Sequence, residues 1–164
     1  MPMHDRITEG QKQLIRESKI FFTASVHPDL TLGPSEDGPV NLSPKGGVEL
    51  HIIDDHHVAY LDYPGSGDET ARHAEAEGPV TVMVMSMTPE DAAIVRLYGK
   101  ATITPVEDSS LKDQLLGTSV IHIKNPRQVI TIEVTSTQTS CGYGVPVYDY
   151  VSERDKSGRG KKYK

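Results

Sequence analysis

Apolar and polar residues alternate along much of the chain, with the period of two that is typical of β-strands. Val48, Leu50 and Ile52, for example, alternate with polar residues as in a half-exposed strand. Apolar or alternating runs predict further strands at 20–26, 39–43, 58–61, 80–87, 94–104 and 128–134. Gly99, inside one of these runs, predicts a β-bulge or a close approach by another group. Short connections rich in Pro, Gly and Asp join the runs, which indicates one antiparallel sheet closed into a small barrel.

Helix-start and helix-stop signals place helices around this sheet. Thr8 with Gln11, and Ser66 with Glu69, have the spacing of a capping box, so a helix is expected to begin at each pair. Gly78 is expected to end the second of these helices. Further helical segments are expected at 106–116 and 148–154.

The turn at 64–67 joins a strand to the second helix and is the most informative stretch of the chain. A helix that begins behind a glycine-rich turn has backbone N–H groups without helical partners, and these favour an anion such as a phosphate. Asp68 and Glu69 oppose that interpretation, because they place negative charge where the phosphate would lie. On the residues alone, an anion site and a plainly capped helix both remain open.

Composition limits the class of protein. A chain of 164 residues predicts one domain, over residues 1–154, followed by a basic tail at 155–164 that is expected to be disordered. A net charge of −6 argues against a general nucleic-acid surface. Neither a signal peptide nor a membrane-spanning stretch is expected from the apolar runs, and the single cysteine, Cys141, indicates a reducing compartment. A cytoplasmic protein is therefore expected.

Five motifs, in this order, resemble the pyridoxamine 5′-phosphate oxidase-related, flavin-binding split-barrel proteins, and in particular a largely uncharacterised branch: VNLSPKG at 40–46, AYLD at 59–62, GSGDET at 65–70, RLYG at 96–99 and TSCGYGVP at 139–146. The resemblance covers nearly everything from Ile20 to Arg154. It implies a mainly β (α+β) fold, a six-stranded antiparallel split β-barrel with peripheral helices. It also implies a homodimer with flavin mononucleotide (FMN) in a groove between subunits. Some relatives bind a deazaflavin or haem instead.

At one point the chain departs from the pattern of the well-studied oxidases. Those enzymes hold the phosphate with an Arg-Lys pair, where this chain has Gly67 and Asp68. The phosphate site is expected to be weaker for that reason, and pyridoxamine phosphate is not assumed to be the substrate. Lys45 and Arg72 are the nearest cations that could replace the missing charge.

The expected cofactor-binding residues fall into two groups. A flavin supplies its own redox chemistry and needs an anion site, a flat slot and hydrogen bonds to its ring edge. Ser66, Gly67 and Thr70 would offer donors to the phosphate. The resemblance places the following residues at the ring or its surroundings: Ser43, Pro44, Lys45, Asp62, Tyr63 and Arg96. Three of them have structural alternatives, namely a solvated turn for Lys45, a cover over the barrel mouth for Tyr63 and an ion pair across the sheet for Arg96.

Two other segments contain residues with metal-binding or nucleophilic side chains. Residues 54–57, Asp-Asp-His-His, are of metal-ligand type, but adjacent residues of a hairpin turn point apart, so ordinary turn chemistry is expected and no metal. Cys141 lacks a recognisable partner motif for nucleophilic catalysis and is expected to be a packed or redox-silent thiol. The loop at 142–144 is expected to project Tyr143, which would close over the flavin of a partner subunit or seal the core.

The sequence therefore predicts a cytoplasmic, dimeric, FMN-dependent oxidoreductase in which hydride passes through the flavin N5. A small-molecule substrate and a nicotinamide donor are the expected partners. The alternative is a non-catalytic protein that binds flavin or haem. A third hypothesis, a metal-dependent hydrolase, is supported only by the turn at 54–57.

Overall fold

A computed structural model of the protein describes four stretches of the chain: 2–32, 38–65, 67–117 and 125–153. The predicted tail at 155–164, and Ser66 of the glycine turn, lie outside these residues. Strands predominate in the described stretches and short helices flank them, so the predicted mainly β class is confirmed.

In the described stretches the sheet has eight strands: β1 Met3–His4, β2 Ile20–Val26, β3 Val40–Gly46, β4 His51–Ile52, β5 His57–Asp62, β6 Pro79–Met85, β7 Ala93–Pro105 and β8 Gln128–Cys141. Seven of them lie side by side in the order β3-β2-β6-β7-β8-β5-β4, all neighbours are antiparallel, and β1 pairs with β8. The sheet is curled as in a split barrel, as predicted. The six expected strands correspond to the six long ones, because β1 and β4 have only two residues each.

Strand lengths differ from the prediction where the apolar pattern was a poor guide. The strand expected at 48–53 is reduced to β4, which pairs only with the start of β5. By contrast, β8 continues beyond Val134, where the apolar alternation ends. Its last residues are polar, yet they complete the hydrogen-bonded ladder with β7.

Three α-helices of the described chain flank the sheet: α1 Glu9–Glu17, α2 Glu69–Glu75 and α3 Lys112–Leu116. The predicted capping box of α1 is present, with Thr8 and Gln11 bonded reciprocally. The helix expected at 106–116 is interrupted, since a 3₁₀ turn at Val106–Asp108 precedes α3. The helix expected at 148–154 is not found, because residues 148–153 are extended coil and Arg154 lies outside the described residues.

The N-terminal segment attaches to the far end of β8. Met3 pairs with Gln138, and the Ile7 side chain is almost fully buried. The Gln11 side chain donates to Thr139 Oγ1 at 3.1 Å and accepts from Thr137 Oγ1 at 2.9 Å. The two ends of the described chain are thus joined in one layer.

Glycines allow close approach at two points of the fold. The register of β7 and β8 shifts between Tyr98 and Gly99, so the predicted bulge is confirmed. A Cβ at Gly99 would collide with the Glu133 carbonyl oxygen, and one at Gly78 would collide with the Val26 carbonyl oxygen. Close packing at Gly78 lets the chain after α2 lie against the end of β2, and α2 itself packs on the same strand. In the part of the chain described, every helix is too short or too polar to cross a membrane.

Candidate functional site

A cavity of about 360 Å³ opens where β3, the end of β5 and the start of α2 meet. This volume lies at the lower end of the range for small-molecule sites. Seven of the nine predicted cofactor-binding residues line it, namely Ser43, Pro44, Lys45, Asp62, Tyr63, Gly67 and Thr70. The other lining residues are Gly65, Asp68, Glu69, Ala71 and Ile130.

Strand β3 has polar residues facing the cavity and apolar residues facing away from it. Side chains alternate between the two faces of a strand, and Asn41, Ser43 and Lys45 are less exposed than their neighbours. Their partners on β2 are Phe21, Thr23 and Ser25, all buried. Val40 and Leu42, by contrast, are 64% and 66% exposed. This inversion puts hydrogen-bonding groups where a core strand would have apolar ones.

A network of hydrogen-bonded polar side chains forms the floor of the cavity. The Ser43 hydroxyl donates to Asn41 Oδ1 at 3.0 Å, and Asn41 Nδ2 donates to Thr70 Oγ1 at 3.1 Å. Ser25 Oγ lies 3.4 Å from the same nitrogen and 2.9 Å from His73 Nδ1. Both Ser25 and His73 are buried, so the network extends from the cavity into the interior.

Asp62 joins three side chains at the end of β5. Its carboxylate accepts from Arg127 Nε at 2.7 Å and from Gln128 Nε2 at 2.9 Å, and Lys45 Nζ is 3.7 Å from its other oxygen. Arg127 also donates to the Gly67 carbonyl at 3.0 Å. Lys45 is thus a held cation, and the structure contradicts the alternative of a solvated turn lysine. The Asp62 oxygens are engaged within the protein.

Tyr60 lies beneath this charge cluster and has an unsatisfied hydroxyl. It is fully buried, Phe21 packs edge-on against its ring, and Lys45 Nζ lies 5.8 Å from the ring centroid. Among the described residues the Tyr60 hydroxyl makes no hydrogen bond of normal length and angle, although the Thr23 hydroxyl lies close to it. Burial raises the pKa of Tyr60 and the Asp62 carboxylate adds to the rise, against smaller opposing effects of the threonine hydroxyl and of Arg127, so the phenol stays protonated. A buried donor without a partner is costly unless something else binds it.

Both acidic side chains of the turn before α2 lie at the cavity, where a phosphate would have to bind. Asp68 occupies the N-cap position without a side-chain capping bond, and it pairs instead with Arg72 at 3.1 Å. The Glu69 carboxylate folds back over Gly67, into the space that a Cβ there would take. The helix begins at Glu69 with Asp68 as its N-cap, so the predicted capping box of Ser66 with Glu69 is wrong. Ser66 itself lies outside the described residues. Arg72 is held by Asp68 rather than directed at an anion.

Arg96 does not line the cavity. It lies in β7 between Val95 and Leu97, which are both buried, and therefore points to the opposite face of the sheet. Its guanidinium donates to Ser140 Oγ at 2.8 Å. The neighbour across the sheet is thus a hydroxyl, not the acid that the structural alternative proposed.

The turn at 54–57 is held by its own hydrogen bonds. Asp54 accepts from the His56 backbone N–H at 2.7 Å and contacts His57 Nδ1 at 2.9 Å, and Asp55 pairs with Lys12 at 2.6 Å. The His56 N–H bond and the contact with His57 lower the pKa of Asp54. Within the described residues no group of three His, Cys, Asp or Glu side chains is placed to hold a metal ion.

The loop after β8 is exposed. Cys141 is a free and exposed thiol, so the alternative of a packed thiol is wrong, while that of a redox-silent thiol stays a prediction. Tyr143 projects from the loop and is 88% exposed, which excludes the alternative that it seals the core. Gly142 permits the loop to approach the β6–β7 connection, where its N–H donates to the Ala92 carbonyl at 2.6 Å.

Sequence reasoning missed Asn41, His73 and Arg127. The sequence does contain a signal for Asn41, because it is a polar residue between Val40 and Leu42 and so belongs to the polar face of a predicted strand. His73 and Arg127 belong to no local motif. Arg127 lies 65 residues from its carboxylate partner, and only the pairing of β5 with β8 brings them together.

The chain is similar in sequence to a curated protein and in fold to several solved structures. No family model matches the chain. In sequence it is similar to the pyridoxamine 5′-phosphate oxidase family protein ustO of Aspergillus flavus, at 29% identity over 154 residues. That match covers 91% of this chain and 58% of ustO, so the chain spans less than two thirds of the relative's length.

Several solved structures have the same fold. A variant of HupZ from Group A Streptococcus has a TM-score of 0.59 at 22% identity, and covers 82% of this chain and 99% of its own. An FMN-binding protein of Syntrophomonas wolfei has a TM-score of 0.57 at 14% identity, over 77% and 81% of the chains. A FAD-binding protein of Mesorhizobium loti has a TM-score of 0.54 at 13% identity, over 85% and 98%. The resemblance predicted from the motifs is therefore confirmed: the chain is similar to a pyridoxamine 5′-phosphate oxidase family protein over 91% of its length, and it has the split-barrel fold.

Proposed function

We propose that this chain binds FMN in the cavity and acts through it as an oxidoreductase on a small-molecule substrate, with a nicotinamide as electron donor. The observation that carries the proposal is the convergence of Lys45, Asp62 and Thr70, from three separate segments, on one cavity of ligand size. The similarity to ustO, and the fold shared with proteins named as FMN-binding and FAD-binding, support a flavin.

The residues present fit the ring system of a flavin. Tyr63, Ala71 and Ile130 offer apolar surface to a flat ring, while Ser43 and Lys45 offer polar contacts to its edge. Tyr60 is fully buried and does not line the cavity, so its hydroxyl is not among the groups offered to the ring.

The fit to the phosphate is partial. The backbone N–H groups of the turn are suitable donors, whereas the Thr70 hydroxyl shares the Asn41 amide with Ser43 and would donate at the ring edge. The Glu69 carboxylate lies over Gly67, where an anion would have to displace it. Moving one flexible side chain is a small rearrangement, so the acids would weaken a phosphate site without abolishing it.

Each of these side chains would have a distinct role toward the cofactor. A bound flavin would supply hydride transfer at its N5. Lys45, held by Asp62, would place positive charge beside the ring or the phosphate and stabilise negative charge there. Arg127 would hold the turn in place through Gly67 and Asp62. The cavity walls would exclude water from the ring face.

The outward face of β3 supports a homodimer. Val40 and Leu42 are exposed apolar residues, and Phe22 and Met83 lie in register on the same face of the neighbouring strands. A two-fold axis over this face would bury it and place a second subunit beside each cavity. Arg96 and Tyr143 could then meet a flavin only across that interface.

Absorbance and titration of the purified protein test the proposal. Flavin absorption bands are expected, and FMN is expected to bind more tightly than riboflavin. Lys45→Ala should weaken FMN by about 10-fold or more, the scale of a charged hydrogen bond, and riboflavin by less. Lys100→Ala, exposed in β7, is the matched control and should change neither. A Soret band, or no flavin binding at micromolar concentration, would refute the assignment. If flavin binds but no nicotinamide donor is turned over, the proposed oxidoreductase activity is refuted and the alternative of a non-catalytic flavin binder is supported.

Asp68→Asn tests where the phosphate lies. Asp68 pairs with Arg72 at the start of α2, so its loss should reduce stability by a few tenths to about 1 kcal/mol. If the phosphate lies at this turn, the variant should bind FMN equally or more tightly, and the gain should shrink as salt rises. Loss of FMN binding in a folded variant would place the phosphate elsewhere.

A further inference from the structure

One amide at the cavity floor bridges two hydroxyls that line the cavity. Asn41 Oδ1 is 3.0 Å from Ser43 Oγ, and Asn41 Nδ2 is 3.1 Å from Thr70 Oγ1. Ser43 and Thr70 both line the cavity, whereas Asn41 lies behind them. The amide therefore acts on any ligand through these hydroxyls, not by direct contact.

The bridge assigns opposite polarity to the two hydroxyls. A hydroxyl has one proton to donate, and an amide oxygen only accepts. Ser43 donates its proton to Asn41 Oδ1, so toward the cavity it can only accept. Thr70 accepts from Asn41 Nδ2, so its own proton remains available for donation. Thr23 Oγ1, 3.4 Å from Thr70 Oγ1, can itself be the donor in that contact.

The surroundings hold the amide in place. Asn41 Nδ2 also points toward Ser25 Oγ, which lies 2.9 Å from His73 Nδ1. Ser25 and His73 are 1% and 3% exposed, so the amide is backed by a buried pair and not by solvent. Buried polar networks of this kind restrict the orientation of their members.

We propose that Asn41 is a positioning residue that makes Ser43 a hydrogen-bond acceptor and Thr70 a donor toward the bound ligand. The proposal rests on the proposed flavin function. It deepens that function by predicting recognition of an imide edge, in which an N–H lies beside a carbonyl. Ser43 then accepts from the N3–H of the flavin, and Thr70 donates to an oxygen. A ligand that lacks the N–H should be discriminated against.

A comparison of riboflavin with 3-methylriboflavin, which has a methyl group in place of that hydrogen, measures the predicted contact. Dissociation constants are taken from quenching of flavin fluorescence. The wild-type protein should bind riboflavin about 2- to 10-fold more tightly, the scale of one neutral hydrogen bond. Ser43→Ala should lose most of this preference. Thr102→Ala, which removes an exposed hydroxyl of β7, should retain it.

A double-mutant cycle tests the role of Asn41 itself. In Asn41→Asp both side-chain oxygens accept, so Ser43 keeps its polarity while Thr70 must turn its proton toward Asp. Thr70→Val should therefore weaken riboflavin by about 2- to 10-fold in the wild-type background and by little in Asn41→Asp. Asn41→Asp should still prefer riboflavin to its 3-methyl derivative.

The outcomes separate the inference from the function that it rests on. Equal binding of the two flavins by the wild type, or an undiminished preference in Ser43→Ala, would overturn the inference and leave flavin binding intact. Failure of the wild type to bind either flavin would overturn both. If Asn41→Asp does not fold, the comparison of wild type with Ser43→Ala still decides the polarity of Ser43.

Discussion

The Asp62 carboxylate holds several cavity-lining groups in position at once. Arg127, Gln128 and Lys45 all meet its carboxylate, and through Arg127 it also holds the Gly67 carbonyl. Charged groups in such a low-exposure site are stabilised only while they remain paired. The position of the Lys45 ammonium is thus set by the end of β5 and the start of β8, not by its own strand.

Tyr60→Phe should stabilise the ligand-free protein by about 1 kcal/mol, because it removes a buried hydroxyl that has no hydrogen-bond partner among the described residues. Urea denaturation measures the change. Tyr98→Phe is the control, since that half-exposed hydroxyl donates to Gln138 and its loss should have little effect. Destabilisation by Tyr60→Phe would show that the hydroxyl is bonded.

His51 should make stability depend on pH. It is 9% exposed, and burial lowers its pKa from the usual 6.5, against an opposing effect of Glu49. Below pH 6.5 the unfolded chain therefore binds the proton more readily than the folded one, and stability falls as pH decreases further toward the folded-state pKa. The urea midpoint should drop between pH 7.5 and 5.5, and less so in His51→Gln. The exposed His56→Gln should retain the full drop.

Sequence patterns place residues beside one another in space only where the relevant signal is local, and that the candidate residues bind a cofactor stays a prediction. Seven of the candidate residues meet at one cavity because three local motifs each end beside it. Arg96 could have been separated from them, since alternation with Val95 and Leu97 already places it on the other face. The Asn41 network and the Asp62–Arg127 pair depend on strands distant in sequence, so no local pattern contains them.

At the scale of elements, two local signals predict the structure correctly, whereas the cap of α2 and the lengths of two strands differ from the prediction. The capping box of α1 and the bulge at Gly99 are local events with specific residue requirements, and both are present. The extent of β4 and of β8 was not predicted, because it is decided by which neighbouring strand remains available for pairing. The polar end of β8 is extended because its backbone pairs with β7 on one side and with β1 on the other.

Gly99→Ala should destabilise the sheet by about 1–3 kcal/mol or more, since a methyl group there would collide with the backbone of β8. Gly144→Ala is the matched control, because no atom lies within 4 Å of a Cβ at that position. Urea denaturation of both variants compares them directly. A Gly99→Ala variant as stable as the control would mean that the bulge can shift to relieve the contact.

For the whole molecule, the inverted pattern of β3 connects ligand binding with assembly. A strand that turns polar side chains inward and apolar ones outward is stable only if both faces find partners. The polar face lines the cavity, where a ligand would contact it, and a second subunit is proposed to cover the apolar face.

Light scattering should therefore give a mass about twice the 18.0 kDa of one chain. Leu42→Glu, at a 66% exposed position on the outward face of β3, should shift the protein toward monomer. Leu116→Glu, an exposed position on α3, should leave the mass unchanged. A monomeric wild type with full flavin occupancy would refute the proposed dimer.

The attachment of α1 to the end of β8 also sets an order of events during synthesis. Gln11 and its partner Thr139 are 128 residues apart, so at about 5–20 residues per second the ribosome releases the partner roughly 6–26 s after the helix. A nine-residue helix is too short to persist alone in water. The α1 segment is thus expected to fold only after its partner strand has been made, with Ile7, Leu14 and Ile15 exposed meanwhile to any chaperone that binds apolar peptide.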